Sequence, residues 1–99
     1  MEIIKTLKGT TLIVEVVGKL DSVTSPKLGE FLKENLDEGI TELVFEFQYL
    51  EYLSSAGIRQ LVAAQNKMNK QGKMVILHAN KMIVNIFDLT GMLEFFTLA

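Results

Sequence analysis

The chain has 99 residues, 48% of them hydrophobic, with one proline, no cysteine and a formal net charge of −2. This is the length of one domain and enough apolar side chain for a packed core, so disorder is excluded. The missing cysteines exclude disulfides, thiol catalysis and cysteine zinc sites, and lysines scattered among acids give no basic surface for nucleic acid.

Residues 2–7 and 11–17 read as two strands joined across Lys8-Gly9-Thr10, a short glycine-containing hairpin loop. The second, Thr11-Leu12-Ile13-Val14-Glu15-Val16-Val17, is apolar or β-branched at nearly every position. Such a strand is expected to be covered on both faces and to end at Gly18. A helix follows: Thr24 or Ser25 can cap it, Pro26 suits its first position, and Gly39 lies just past its end. Leu28, Phe31, Leu32 and Leu36 form its inner stripe.

Leu43-Val44-Phe45-Glu46-Phe47 is the next strand. After it, Leu53-Ser54-Ser55-Ala56-Gly57-Ile58 marks the change from strand to helix, and Ile58, Leu61, Val62 and Met68 recur at helical spacing towards Gln71 and Gly72. Met74-Val75-Ile76-Leu77 is a further buried strand. Asn80 can cap a last helix with Ile83, Ile86 and Phe87 inside and Gly91 as its stop, and Leu93 to Leu98 fits either a short strand or a terminal helix. The expected fold is α/β, one domain over 1–99. Its sheet is mixed and mostly parallel, with four to five strands, about four helices and the order β-β-α-β-α-β-α plus a short tail. In such a sheet the loops beyond the strands' carboxyl ends carry function. The segments Gly18–Ser25 and 48–55 share that rim, which brings Asp21, Ser22, Ser54 and Ser55 towards one another.

Legible catalysis is missing. There is no P-loop, no Gly-x-Gly-x-x-Gly and no Gly-x-Ser-x-Gly elbow. The lone histidine, His78, ends an apolar strand without an acid near it in sequence, and Asp88 and Glu94 have no metal-ligand spacing. The expectation is a protein that is no enzyme and takes no cofactor and no metal. The serine pair is different. One serine is explained as a helix cap. Two hydroxyls beside the small Ala56 and Gly57, at the positive end of a helix, are also where a phosphate would find donors. Asp21 reads equally as a turn residue.

The segment Gln48-Tyr49-Leu50-Glu51-Tyr52-Leu53-Ser54-Ser55-Ala56-Gly57-Ile58-Arg59 resembles the signature of the STAS family, typified by bacterial anti-sigma factor antagonists. Gly18-Lys19-Leu20-Asp21, Gly72-Lys73-Met74-Val75 and Phe87-Asp88-Leu89-Thr90-Gly91-Met92 resemble other family motifs, in order and across essentially the whole chain. The resemblance implies an antagonist in a partner-switching pathway. Its partner would be an anti-sigma factor that is also a serine kinase of the histidine-kinase-like ATPase type. Phosphorylation ends that binding and a PP2C-type phosphatase restores it. The family's usual site reads Asp-Ser-Ser/Thr-Gly. On this chain Ser54 takes the aspartate position, Ser55 that of the acceptor and Ala56 that of the second hydroxyl. The resemblance thus makes Ser55 the phosphorylation site, with Ser54 as the competing hydroxyl. The implied partner-binding residues are Asp21, Ser22, Ser54, Ser55, Ala56, Gly57 and Arg59. Where the family usually has Asp or Asn at the end of the third strand, this chain has Glu46. Neither nucleic acid nor membrane insertion is expected: no apolar run approaches the roughly 20 residues that span a bilayer. The start, Met1-Glu2-Ile3-Ile4-Lys5, lacks a signal peptide's pattern, and the expected location is the cytoplasm. Two alternatives remain: a constitutive STAS interaction subunit, for example of a lipid-transport complex, and a small enzyme or nucleotide-binding domain using the same rim.

Overall fold

The computed structural model describes all residues, 1–99. The elements in chain order are β1 (Glu2–Lys8), β2 (Thr11–Leu20), α1 (Ser25–Asn35), β3 (Glu42–Glu46), β4 (Leu50–Leu53), α2 (Ser55–Met68), β5 (Lys73–Leu77) and α3 (Lys81–Leu89). The sheet runs β1-β2-β3-β5, and β4 pairs β2 beyond the reach of β3. β1 is antiparallel to β2, and all other pairings are parallel.

The hairpin forms as expected, with Lys8 opposite Thr11 and Gly9 at φ +61°. β2 departs from its expected end. Gly18 does not stop it: at φ +97° the glycine makes a bulge that shifts the register before Lys19, and the strand continues to Leu20. That extension pairs with Leu50–Leu53, a strand hidden in what reads as the serine loop. β2 is also not covered on both faces. Leu12, Val14 and Val16 are fully buried, whereas Thr11, Ile13, Glu15 and Val17 remain partly exposed. Its apolar outer residues reflect β-propensity rather than a second layer.

There are three helices, not four, and two are shorter than their patterns suggest. α1 stops at Asn35 because Asp37 turns the chain, its carboxylate accepting from Gly39 N–H at 2.8 Å. α2 ends at Met68, and Gly72 N–H closes the turn on the Met68 carbonyl at 2.7 Å. The tail is neither strand nor helix: Leu98 makes a single parallel bridge to Ile76, and Phe96 packs on Phe87 with ring centroids 5.1 Å apart.

The core lies between the sheet and the helices. Leu12, Val14, Val16, Leu43, Phe45 and Ile76 from the strands meet Leu28, Leu32, Leu61, Met68, Ile83 and Phe87 from the helices. Each such side chain stabilises the fold by about 1.5–3 kcal/mol relative to exposure. This slab is what holds the rim loops at fixed positions.

Candidate functional site

Two turns on the rim carry the residues of interest. The first follows β2. The Asp21 carboxylate accepts from the N–H groups of Val23 at 2.9 Å and Thr24 at 3.0 Å, and from Thr24 Oγ1 at 3.1 Å. Thr24 Oγ1 in turn accepts from Asp21 N–H at 2.9 Å, and its one proton is shared between the Asp21 carboxylate and the Lys19 carbonyl, the latter at 2.8 Å. The Ser25 hydroxyl donates to the Asp21 carbonyl. Thr24 is the N-cap of α1, yet its side chain makes no capping bond, because it is engaged in this turn. The N–H of Thr24 above all, and that of Val23, hold the Asp21 carboxyl below its ordinary value, against a smaller opposing effect of desolvation. Asp21 is therefore the organiser of its own turn, and Ser22 beside it is exposed.

The second turn starts α2. Ser54 is the N-cap, in extended conformation, and its Oγ accepts from Gly57 N–H at 3.3 Å. Ser55 is the first helical residue; it is exposed, and its hydroxyl has no hydrogen-bond partner within the chain. The pair thus divides into a structural serine and an uncommitted one. Ala56 is half-buried and Arg59 exposed one helical turn beyond Ser55. Gly57 is buried beneath them. A Cβ there would lie 2.7 Å from Leu53 Cδ1, 2.9 Å from Leu20 Cγ and 3.0 Å from the Leu20 carbonyl oxygen. Only glycine lets α2 approach the end of β2 this closely.

The two turns are stitched together. Ser54 N–H donates to the Leu20 carbonyl at 2.9 Å, immediately before Asp21, and Leu20 faces Leu53 in the β2–β4 ladder. The expected nearness of Gly18–Ser25 and 48–55 is therefore met through the backbone, though no hydrogen bond joins Asp21 to either serine. β4 makes the junction, and its brevity hid it: Leu50 and Leu53 point inward while Glu51 and Tyr52 are exposed.

Sequence reasoning missed two neighbouring features. His78, at φ +58°, has an acid after all: its Nδ1 lies 2.8 and 2.9 Å from the two Glu46 carboxylate oxygens. The parallel register sets Glu46 opposite Leu77, so the histidine follows at the strand end. Glu46 also accepts from Gln48 N–H at 3.0 Å, fastening the start of the β3–β4 turn. With the ring largely exposed, the pair ties two strand ends together. The second feature is a shallow groove of about 300 Å³ beside Ser55, lined by Ser55, Ile58, Arg59, Val62, Thr90 and Met92. Ile58 and Val62 belong to the helical apolar pattern; Thr90 and Met92 stand in the late family motif and arrive from past α3, and nothing in the sequence sets them beside Ser55.

The fold is that of a single α/β domain with one helix start exposed at the rim of a mixed sheet. The sequence model of the STAS domain family matches residues 2–99, and the chain belongs to that family. It is 31% identical over 80 residues to the anti-sigma-B factor antagonist of Staphylococcus epidermidis, covering 80% of this chain and 74% of that protein. Its fold is similar to the crystal structure of an anti-sigma factor antagonist from Mycobacterium paratuberculosis, with a TM-score of 0.88 and 24% identity, over 98% of this chain and 83% of the other. It is also similar to the Bacillus cell fate determinant SpoIIAA in its phosphorylated form, with a TM-score of 0.77 and 15% identity, over 99% and 91% of the two chains. No helix is long and apolar enough to cross a membrane.

Proposed function

We propose that this chain, acting over 1–99 as one cytoplasmic module, is an anti-sigma factor antagonist that works by binding and not by catalysis. Unphosphorylated, it engages an anti-sigma factor that is also a serine kinase of the histidine-kinase-like ATPase type. Phosphorylation of Ser55 ends that binding, and a PP2C-type phosphatase restores it. The recognition surface is the rim formed by Asp21, Ser22, Ser54, Ser55, Ala56 and Arg59, with Gly57 setting the helix height beneath it. The observation that carries this reading is the exposed, unbonded hydroxyl of Ser55 next to a Ser54 committed to capping.

The chemistry supports a local switch. A phosphoserine adds about −1.5 to −2 charge and three acceptor oxygens. At the start of α2 it meets free N–H groups and the positive end of the helix dipole, so the fold tolerates it. The partner interface does not. A hundredfold loss of affinity requires only about 2.7 kcal/mol, and one dianion buried against an unmatched surface supplies that.

Incubation with the cognate kinase and ATP, followed by mass spectrometry, should place phosphate on Ser55. Ser55→Ala should keep kinase binding, and Ser55→Asp should weaken it while the circular dichroism spectrum stays unchanged. Binding that is indifferent to Ser55→Asp, with no phosphate on either serine, would instead favour the constitutive interaction subunit.

A further inference from the structure

The β1 edge of the sheet carries a self-complementary pattern. β1 pairs with β2 along one side only, and its other side is a sheet edge. Six of its seven residues are exposed, including Ile4 at 42% and Leu7 at 56%. Cross-strand partners fix which face each side chain occupies. Ile3, Lys5 and Leu7 lie opposite the buried Val16, Val14 and Leu12, on the helix-covered face; Glu2, Ile4, Thr6 and Lys8 lie opposite Val17, Glu15, Ile13 and Thr11, on the open face.

An edge strand offers its outward backbone groups to another strand. We propose that β1 pairs antiparallel with β1 of a second copy of this chain, centred on Lys5, to form a two-fold dimer with one continuous sheet. Face parity admits only registers in which the numbers of paired residues sum to an even value. Of these, only the one centred on Lys5 uses all seven residues. It sets Glu2 against the second copy's Lys8 twice, and Ile3 against Leu7 twice, covering the exposed leucine on the face where it already lies. Ile4 meets Thr6 on the open face. Shifting the centre to Ile4 sets Glu2 against Thr6 and Ile3 against Lys5, and shifting it to Thr6 sets Ile4 against Lys8; both lose the ion pairs and the Ile–Leu pairs.

The cost is Lys5 opposite Lys5, a like-charge contact at the axis. Lys5 Nζ already donates to Asn35 Oδ1 at 3.0 Å, which draws each ammonium towards its own α1. The two-fold axis closes the assembly at two chains and uses up the edge on which further strands would add. The seam includes no residue of the first turn of α2, so this inference does not depend on the proposed function.

Sedimentation velocity over a concentration series tests it. The unmodified chain should shift reversibly from monomer to dimer. Glu2→Lys, or Lys8→Glu, turns both ion pairs into like-charge pairs and should weaken dimerisation about tenfold or more. Glu2→Lys combined with Lys8→Glu should restore it to within about threefold. Both positions are exposed, so the melting temperature reports separately on folding. The chain has no cysteine, so Lys5→Cys alone should form an intermolecular disulfide across the axis, whereas Thr10→Cys should not. A chain that stays monomeric throughout, or a double charge swap that fails to restore dimerisation, overturns the proposal.

Discussion

The two rim turns use similar residues to opposite ends. At Asp21 the organising groups are consumed by their neighbours, the carboxylate by Val23 and Thr24 and the Thr24 hydroxyl by Lys19 and Asp21, and only the exposed Ser22 hydroxyl is left over. At the start of α2 the consumption stops after one residue, since Ser54 caps Gly57 and Ser55 is left unbonded and exposed. A polar residue spent on its own turn fixes a surface, whereas one left free beside a helix N-terminus is available to a partner or to modification. The backbone bond from Ser54 N–H to the Leu20 carbonyl, with the Leu20–Leu53 pairing beside it, keeps the two turns in contact.

The largest expected effect comes from separating the turns. Gly57→Ala places a methyl against Leu53, Leu20 and the Leu20 carbonyl, and should cost about 1–3 kcal/mol in urea unfolding. It should also weaken partner binding beyond that loss by lifting α2 from β2; a fully stable Gly57→Ala would show the approach to be slack. The serine contrast predicts a smaller, asymmetric pair. Ser54→Ala should cost about 1 kcal/mol by removing the cap, while Ser55→Ala should change stability by less than about 0.5 kcal/mol. Equal costs would dissolve the distinction between the two hydroxyls.

The smallest effect belongs to Asp21 and appears as pH dependence. Its folded pKa lies below the ordinary 3.8, so its contribution is fully present above that value. The contribution is lost as the pH falls through the folded pKa. Native protein should therefore lose stability below about pH 4 more steeply than Asp21→Asn, and a carboxyl titration by NMR should show Asp21 titrating late. Parallel acid profiles for the two proteins would mean that the Asp21 turn does not discriminate between the charged and neutral forms.

Much of this architecture is written locally. β-Branching and the Lys8-Gly9-Thr10 loop mark β1 and β2, Pro26 marks the start of α1, Asn80 caps Ile83 N–H at 2.9 Å, and the 3.6-residue spacing of Ile58, Leu61 and Met68 marks α2. Family motifs in order supply the topology, and the serines stand at the helix start where pattern and capping preference put them. Gly18, in contrast, reads as a terminator, because a glycine that ends a strand and one that bulges it look alike until a neighbouring strand is present to pair beyond it. Leu50–Leu53 reads as loop for the same reason: four residues with two inward leucines become a strand only against the extension of β2.

The local code thus determines periodicity, caps and turns, since these depend on residues within a few positions of one another. It names Ser54 and Ser55 but does not divide them. The family resemblance divides them by position, and the structure adds the physical difference: one hydroxyl reaches Gly57 and the other reaches nothing. The Glu46–His78 pair, the Thr90 and Met92 wall beside Ser55, and the free edge of β1 belong wholly to the tertiary level. Each joins or exposes residues through strand register and helix packing, long-range choices whose energies no segment carries alone.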